Sequence, residues 1–294
     1  MYQTVVGLGD SVAFGIGDNG DNFSGPGWLG RSAHALRVPK HLNLSFPGAR
    51  SKDLARVQIP AAECLRPDLA LISIGGNDML RSRFDPPTFA RDIRESINRL
   101  RRVGTKVFLI EIPDPRRSTV YPSIVGKAFH QRASTINSAL RWAAGEEGAT
   151  VIDLWSVDSI YERDFWHVDR IHPSPRGYQF LTDRTVELLG AHPCAGIPSI
   201  SAKQPNRWWW LLANASPWVL KRSFDLLPGL ALLLAKGLCG GRSSKNSLVA
   251  PPSGLEPETL RFLVGRQKNG GHGIHRAKKV ITIWSRDFGR VVNL

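Results

Sequence analysis

The sequence predicts an α/β protein built on a parallel sheet with helices on both faces, and three observations carry that prediction. Strand-like and helix-like stretches alternate about five times within residues 1–190, the pattern of successive β-α units. Short apolar runs such as Val5-Val6-Gly7-Leu8 read as buried strands. Gly-, Asn-, Asp- and Ser-containing turns follow those runs, at the edge where open α/β sheets bind their ligands. Crossovers between parallel strands should be right-handed.

The first strand runs into Gly9-Asp10-Ser11, and a Gly-, Asp- and Asn-rich loop occupies 15–27. A helix fits 27–37, with Trp28, Leu29, Ala33 and Leu36 on one face. Residues 41–46 read as the second strand and Pro47-Gly48-Ala49-Arg50 as a turn. Ser51 can then cap a short helix with Leu54, Ala55 and Val57 as apolar positions. The third strand, 68–74, is the clearest and ends in Gly75-Gly76-Asn77-Asp78. Pro86-Pro87-Thr88 opens a helix to about 103, with Ile93, Ile97 and Leu100 as its stripe and Gly104 as its stop. A fourth strand fits 106–112, a Pro/Arg loop 113–118, and a long helix 123–147 ended by Gly148. A fifth strand fits 150–154. A loop over 155–173 leads to a last helix at 174–189.

Beyond residue 190 the alternation stops. The sequence divides into a domain at 1–190, a Trp/Leu-rich helical extension at 191–239 and a basic, disordered tail at 240–294. The net charge of +14 follows the same division. Residues 1–190 carry 24 Lys+Arg against 21 Asp+Glu, net +3, whereas 191–294 carry 15 against 4, net +11. A nearly neutral body argues against a dedicated nucleic-acid partner and leaves the tail as a solvated basic segment. The stretch 206–239 either packs on the body or makes weak contact with a membrane surface. Its leucine-rich run, broken by Pro228, Gly229 and Lys236, is too short to span a bilayer. Cys64, Cys194 and Cys239 are widely spaced, form no metal pattern and fit a reducing cytoplasm. No secretory leader is visible.

Four pieces carry chemistry: Gly9-Asp10-Ser11, Gly48, Gly75-Gly76-Asn77-Asp78 and Asp169-Arg170-Ile171-His172-Pro173. Ser11 is a weak nucleophile unless a base takes its proton. His172 can do so near neutral pH. Asp169, three residues away, can hold the other ring nitrogen. The Ser11 and Gly48 N–H groups and the Asn77 side chain can donate to an oxyanion. Asp10 shapes the turn by bonding local N–H groups. His34, His41, His130, His167 and His192 read as structural or exposed. His272 and His275 resemble a metal-binding run by accident.

Taken in order, Ser then Gly then Asn then Asp-x-x-His, these blocks resemble the SGNH hydrolase superfamily, also called GDSL lipases/esterases. The resemblance covers about residues 3–190. It implies a three-layer, flavodoxin-like α/β/α sandwich on a sheet of about five strands. It also implies a serine ester hydrolase that needs no cofactor or metal and acts on a small-molecule ester. Ser11, Asp169 and His172 would form its triad, and Ser11, Gly48 and Asn77 its oxyanion hole. The expected acyl-enzyme leaves acyl transfer to another acceptor as a close variant. The loops at 15–27, 81–87 and 114–123 should set substrate choice, with Arg116 and Arg117 available to an anionic group. Two alternatives compete: a metal-dependent phosphoesterase, and a non-enzymatic protein binding lipid or nucleic acid through its tail. The tail after Pro251 fits no recognised domain.

Overall fold

The structure is a computed structural model, and it describes residues 2–18, 24–81, 83–117, 123–191 and 207–210. The chain divides after Arg242, and every described residue lies in the first unit, Met1–Arg242. The expectations for 240–294, for His192, His272 and His275, for Cys194 and Cys239, and for most of 191–239 fall outside the described residues.

Five parallel strands form one sheet in the order β2-β1-β3-β4-β5: β1 (Thr4–Gly9), β2 (Lys40–Asn43), β3 (Leu69–Ser73), β4 (Lys106–Ile110) and β5 (Thr150–Ile152). Helices connect the strands and follow the last of them. These are α1 (Ser11–Phe14), α2 (Gly27–Ala35), α3 (Ser51–Asp53), α4 (Ile59–Leu65), α5 (Gly76–Met79), α6 (Pro86–Arg102), α7 (Ser123–Glu147), α8 (Pro175–Leu188) and α9 (Arg207–Trp210). The result is the expected three-layer α/β/α arrangement.

The period-two alternation of strand side chains sorts the apolar residues into two cores. Val6 and Leu8 of β1, Ala70 and Ile72 of β3, and Val107 and Leu109 of β4 face one layer. They meet Leu54 and Ile59, Ile93 and Ile97 of α6, and Ile136 and Leu140 of α7. Val5, Leu69, Leu71, Phe108 and Ile110 face the other layer and meet Trp28 and Leu29 of α2 and Tyr178 and Leu181 of α8. Burial on both faces explains why these strands read as continuous apolar runs. The buried Trp28 indole also donates to Thr185 Oγ1 at 2.9 Å, tying α2 to α8.

Strand ends come two to three residues earlier than the sequence suggests at β2, β4 and β5, because the chain turns into loops once sheet pairing stops. The segment after Gly48 differs more. Its N-cap is Arg50, not Ser51. Ser51 instead gives both its N–H and its hydroxyl to the Asp78 carboxylate. Between α3 and α4 the helix passes through a π-helical turn, Leu54–Gln58. That turn shifts the helix phase, so Val57 is exposed rather than packed and Gln58 is buried in its place.

The position of β1 matters most for function. The chain leaves β1 for β2 on one side, then crosses to β3 on the other. The C-terminal ends of β1 and β3 therefore flank the point where the direction of winding reverses, where such sheets form a ligand crevice.

Candidate active site

The end of β1 is held from two sides before it delivers Ser11. Gly9 N–H donates to Gln58 Oε1 at 2.6 Å, and Gln58 Nε2 donates back to the Gly9 carbonyl at 2.9 Å. Asp10 N–H donates to the Ser73 carbonyl of β3 at 2.9 Å. Gly9 has φ 114°, a conformation that favours glycine. Asp10 then caps α1, its Oδ1 accepting from Val12 N–H at 3.1 Å and from the Ser73 hydroxyl at 3.1 Å. Ser11 is the first residue of that helix.

The loop after β5 approaches the same point from above. It contains two short 3₁₀ turns, Asp158–Tyr161 and Arg163–Phe165. It is then pinned by His167 N–H donating to the His172 carbonyl at 2.9 Å. Asp169 Oδ1 accepts from the N–H groups of Ile171 at 2.9 Å and His172 at 3.0 Å. This is the local turn that aspartate favours. It leaves Oδ2 2.7 Å from His172 Nδ1, while His172 Nε2 lies 2.8 Å from Ser11 Oγ. Residues 161 positions apart in the chain thus form a continuous line from carboxylate to imidazole to hydroxyl.

Electrostatics follow the contacts. Burial works to raise the Asp169 carboxyl. His172 beside it, the nearby His167 ring and the His172 N–H outweigh that and hold it far below the usual carboxylate range. Asp10 is also buried, and here burial wins over the Val12 and Ser73 donors and the nearby His172, pushing it up to about 6. Asp78 is likewise raised by burial to about 6 despite its Ser51 donors.

Gly48 adopts φ 85° in a turn closed by Ala49 N–H donating to the Phe46 carbonyl at 3.2 Å. Asn77, on the short α5 after β3, donates through Nδ2 to the Ala49 carbonyl at 3.1 Å. The Gly48 turn and the β3 loop are thereby joined twice, through Asn77 and through the Ser51–Asp78 pair. Asn77 lines the same cavity as Ser11 and His172, and Pro47 represents the Gly48 turn in that wall.

The cavity encloses about 360 Å³. Its walls are largely apolar and include Met79, Leu80 and Ile112; of the loops expected to set substrate choice, 15–27 contributes Ile16, 114–123 contributes Asp114, Pro115 and Arg117, and the described residues of 81–87 contribute none. Both arginines proposed for an anionic group are engaged. Arg116 holds Asp114 at 2.8 Å. Arg117 pairs with Asp158 at 2.8 Å and lies over the Tyr161 ring at 3.7 Å. His130 is bound to Asp114 at 2.9 Å and packs on Trp155. Cys64 is a free, exposed thiol. Among the described residues, no group of three or more His, Cys, Asp or Glu side chains is placed to hold a metal ion. No described helix is long and apolar enough to cross a membrane.

The family model for the GDSL-like lipase/acylhydrolase family matches residues 8–180. The chain belongs to that family. It is therefore a GDSL-type hydrolase of ester bonds. Solved structures of the same fold include a GDSL-like lipase from Parabacteroides merdae, 18% identical, covering 64% of this chain and 95% of that one with a TM-score of 0.54. A lipase/acylhydrolase from Enterococcus faecalis is 22% identical over 69% of this chain and all of that one, with a TM-score of 0.51. An acetylxylan esterase from Geobacillus stearothermophilus is 15% identical over 64% and 94%, with a TM-score of 0.52. Comparison with curated proteins finds no match.

Sequence reasoning missed three residues around this site. Gln58 clamps Gly9, but no motif marks it and the π-turn hides its inward position. Ser73 bonds Asp10, yet within an apolar strand it reads as filler. His167 reads from the sequence as structural or exposed; it is buried, with Nδ1 3.5 Å from Asp169 Oδ2.

Proposed function

We propose that the protein hydrolyses small-molecule carboxylic esters through an acyl-enzyme on Ser11. The observation that best supports this is the line of contacts Ser11 Oγ–His172 Nε2 at 2.8 Å and His172 Nδ1–Asp169 Oδ2 at 2.7 Å. Ser11 Oγ attacks the carbonyl carbon while its proton passes to His172 Nε2. Asp169 fixes the ring tautomer and stabilises the imidazolium. The carbonyl electrons move to oxygen, where the Ser11 and Gly48 N–H groups and the Asn77 side chain donate. Collapse breaks the ester C–O bond, and His172 returns its proton to the leaving alcohol. Water then attacks the acyl-serine, its proton passing to His172, and the released Ser11 oxygen recovers that proton as the acid departs.

Residues 1–190 contain every group this mechanism uses, so this segment is assigned as the catalytic domain. The widely spaced cysteines support a cytoplasmic location. The mostly apolar cavity favours an uncharged acyl group, and both arginines near it already face carboxylates.

Ser11→Ala removes the attacking atom and only one side-chain contact. It should fold normally and lose at least about 10⁴-fold in kcat on a short p-nitrophenyl ester. Turnover near the wild-type rate would reject Ser11 as the nucleophile.

A further inference from the structure

Trp210 belongs to α9, beyond the family match that ends at residue 180, yet it reaches the active-site loop. Its neighbour Trp209 is 74% exposed, whereas Trp210 is 6% exposed. The Trp210 indole meets the His167 ring edge-to-face, with centroids 4.6 Å apart. His167 in turn lies beside Asp169 and bonds the His172 backbone. A helix of four residues is not stable by itself. Burial of this indole packs α9 against the domain.

The same indole lines the cavity that opens on Ser11 and His172. Leu154, Phe165 and Leu181 are among its other apolar walls. A mostly apolar cavity of this size, with one wall supplied from outside the catalytic domain, suits a flexible hydrocarbon chain better than a polar group. We propose that Trp210 is a specificity-determining residue. It walls the pocket for the acyl chain, so the enzyme prefers esters of medium-length apolar acids to acetyl esters. This rests on the ester-hydrolase reading and names its substrate class.

Two experiments on the full chain test it. The first compares kcat/KM for p-nitrophenyl octanoate and p-nitrophenyl acetate. Trp210→Ala should lower the octanoate-to-acetate ratio by at least about tenfold, the lower end of what one lost methylene contact is worth. Trp210→Phe should restore most of it. An unchanged ratio, including an equal fall for both esters, would overturn the proposal and leave Trp210 as packing for His167.

The second uses wild-type protein and does not depend on any variant folding. An octylphosphonofluoridate with a terminal diazirine should bond through phosphorus to Ser11 Oγ, releasing fluoride as the serine proton passes to His172. Light then expels dinitrogen, and the carbene inserts into whatever the chain end touches. Crosslinking to the peptide holding Trp210 supports the proposal. Attachment at Ser11 with crosslinks only elsewhere overturns it. Failure to attach at Ser11 would overturn the hydrolase mechanism itself.

Discussion

Replacing Gly9 with alanine should unseat Ser11. A Cβ on Gly9 would lie 1.8 Å from the Ser73 carbonyl oxygen and 2.7 Å from its carbon. Real contacts essentially never fall below about 3 Å, so β1 must withdraw from β3 by on the order of 1 Å. The neighbouring atoms leave little room for that. Gly9 is clamped by Gln58, and Asp10 N–H is bonded to the same Ser73 carbonyl. An L-residue at φ 114° costs about 1–3 kcal/mol. Overpacking adds about 1–3 kcal/mol, and loss of the Asp10–Ser73 bond about 0.5–1.5 kcal/mol. The total, about 2.5–7.5 kcal/mol, is a large part of the roughly 5–15 kcal/mol that stabilises a typical domain. In molecules that still fold, displacing Ser11 by about 1 Å should cost about 10²-fold in kcat/KM. Urea unfolding reads the first quantity and p-nitrophenyl acetate hydrolysis the second. A Gly9→Ala protein within about 1 kcal/mol of wild type and of undiminished activity would refute the claim that close contact of β1 with β3 positions Ser11.

Other expectations follow from the same geometry. Asn77→Ala should lower kcat by about 10²–10³-fold with a smaller effect on KM; a change confined to KM would contradict an oxyanion role. Asp78 should make stability depend on pH. Its folded pKa of about 6 lies above the ordinary aspartate value of 3.8, so the native state binds more protons between those values. Its contribution is full below about pH 4 and declines as pH rises through 6. Asparagine does not titrate. The stability of Asp78→Asn relative to wild type should therefore rise by about 1–3 kcal/mol between pH 4 and pH 7. Urea unfolding at the two values checks this, and a flat difference would place the Asp78 carboxyl in the ordinary range.

What the sequence made legible depended on local signals. β1, β3 and β4 stood out because both faces are buried, so their residues are almost all apolar. Asp169 and His172 could be paired because a three-residue turn is a local constraint. The long helix 123–147 had its stop written in Gly148. Gln58 was hidden for a different reason. A 3.6-residue period puts Val57 on the apolar face, and the π-turn at Leu54–Gln58 breaks that period. The roles of Ser51 and Asp78 are also tertiary, since their pairing joins segments 27 residues apart. Trp210 was visible only as one of several tryptophans after the domain. Its placement against His167 depends on packing across a stretch with no sustained pattern.

Covalent labelling tests the central claim most directly. Wild-type protein treated with a fluorophosphonate, digested and mapped by mass spectrometry should carry one adduct, on the peptide containing Ser11, and lose hydrolytic activity in proportion. Full activity after labelling, or an adduct on a different serine that accounts for the lost activity, would contradict it.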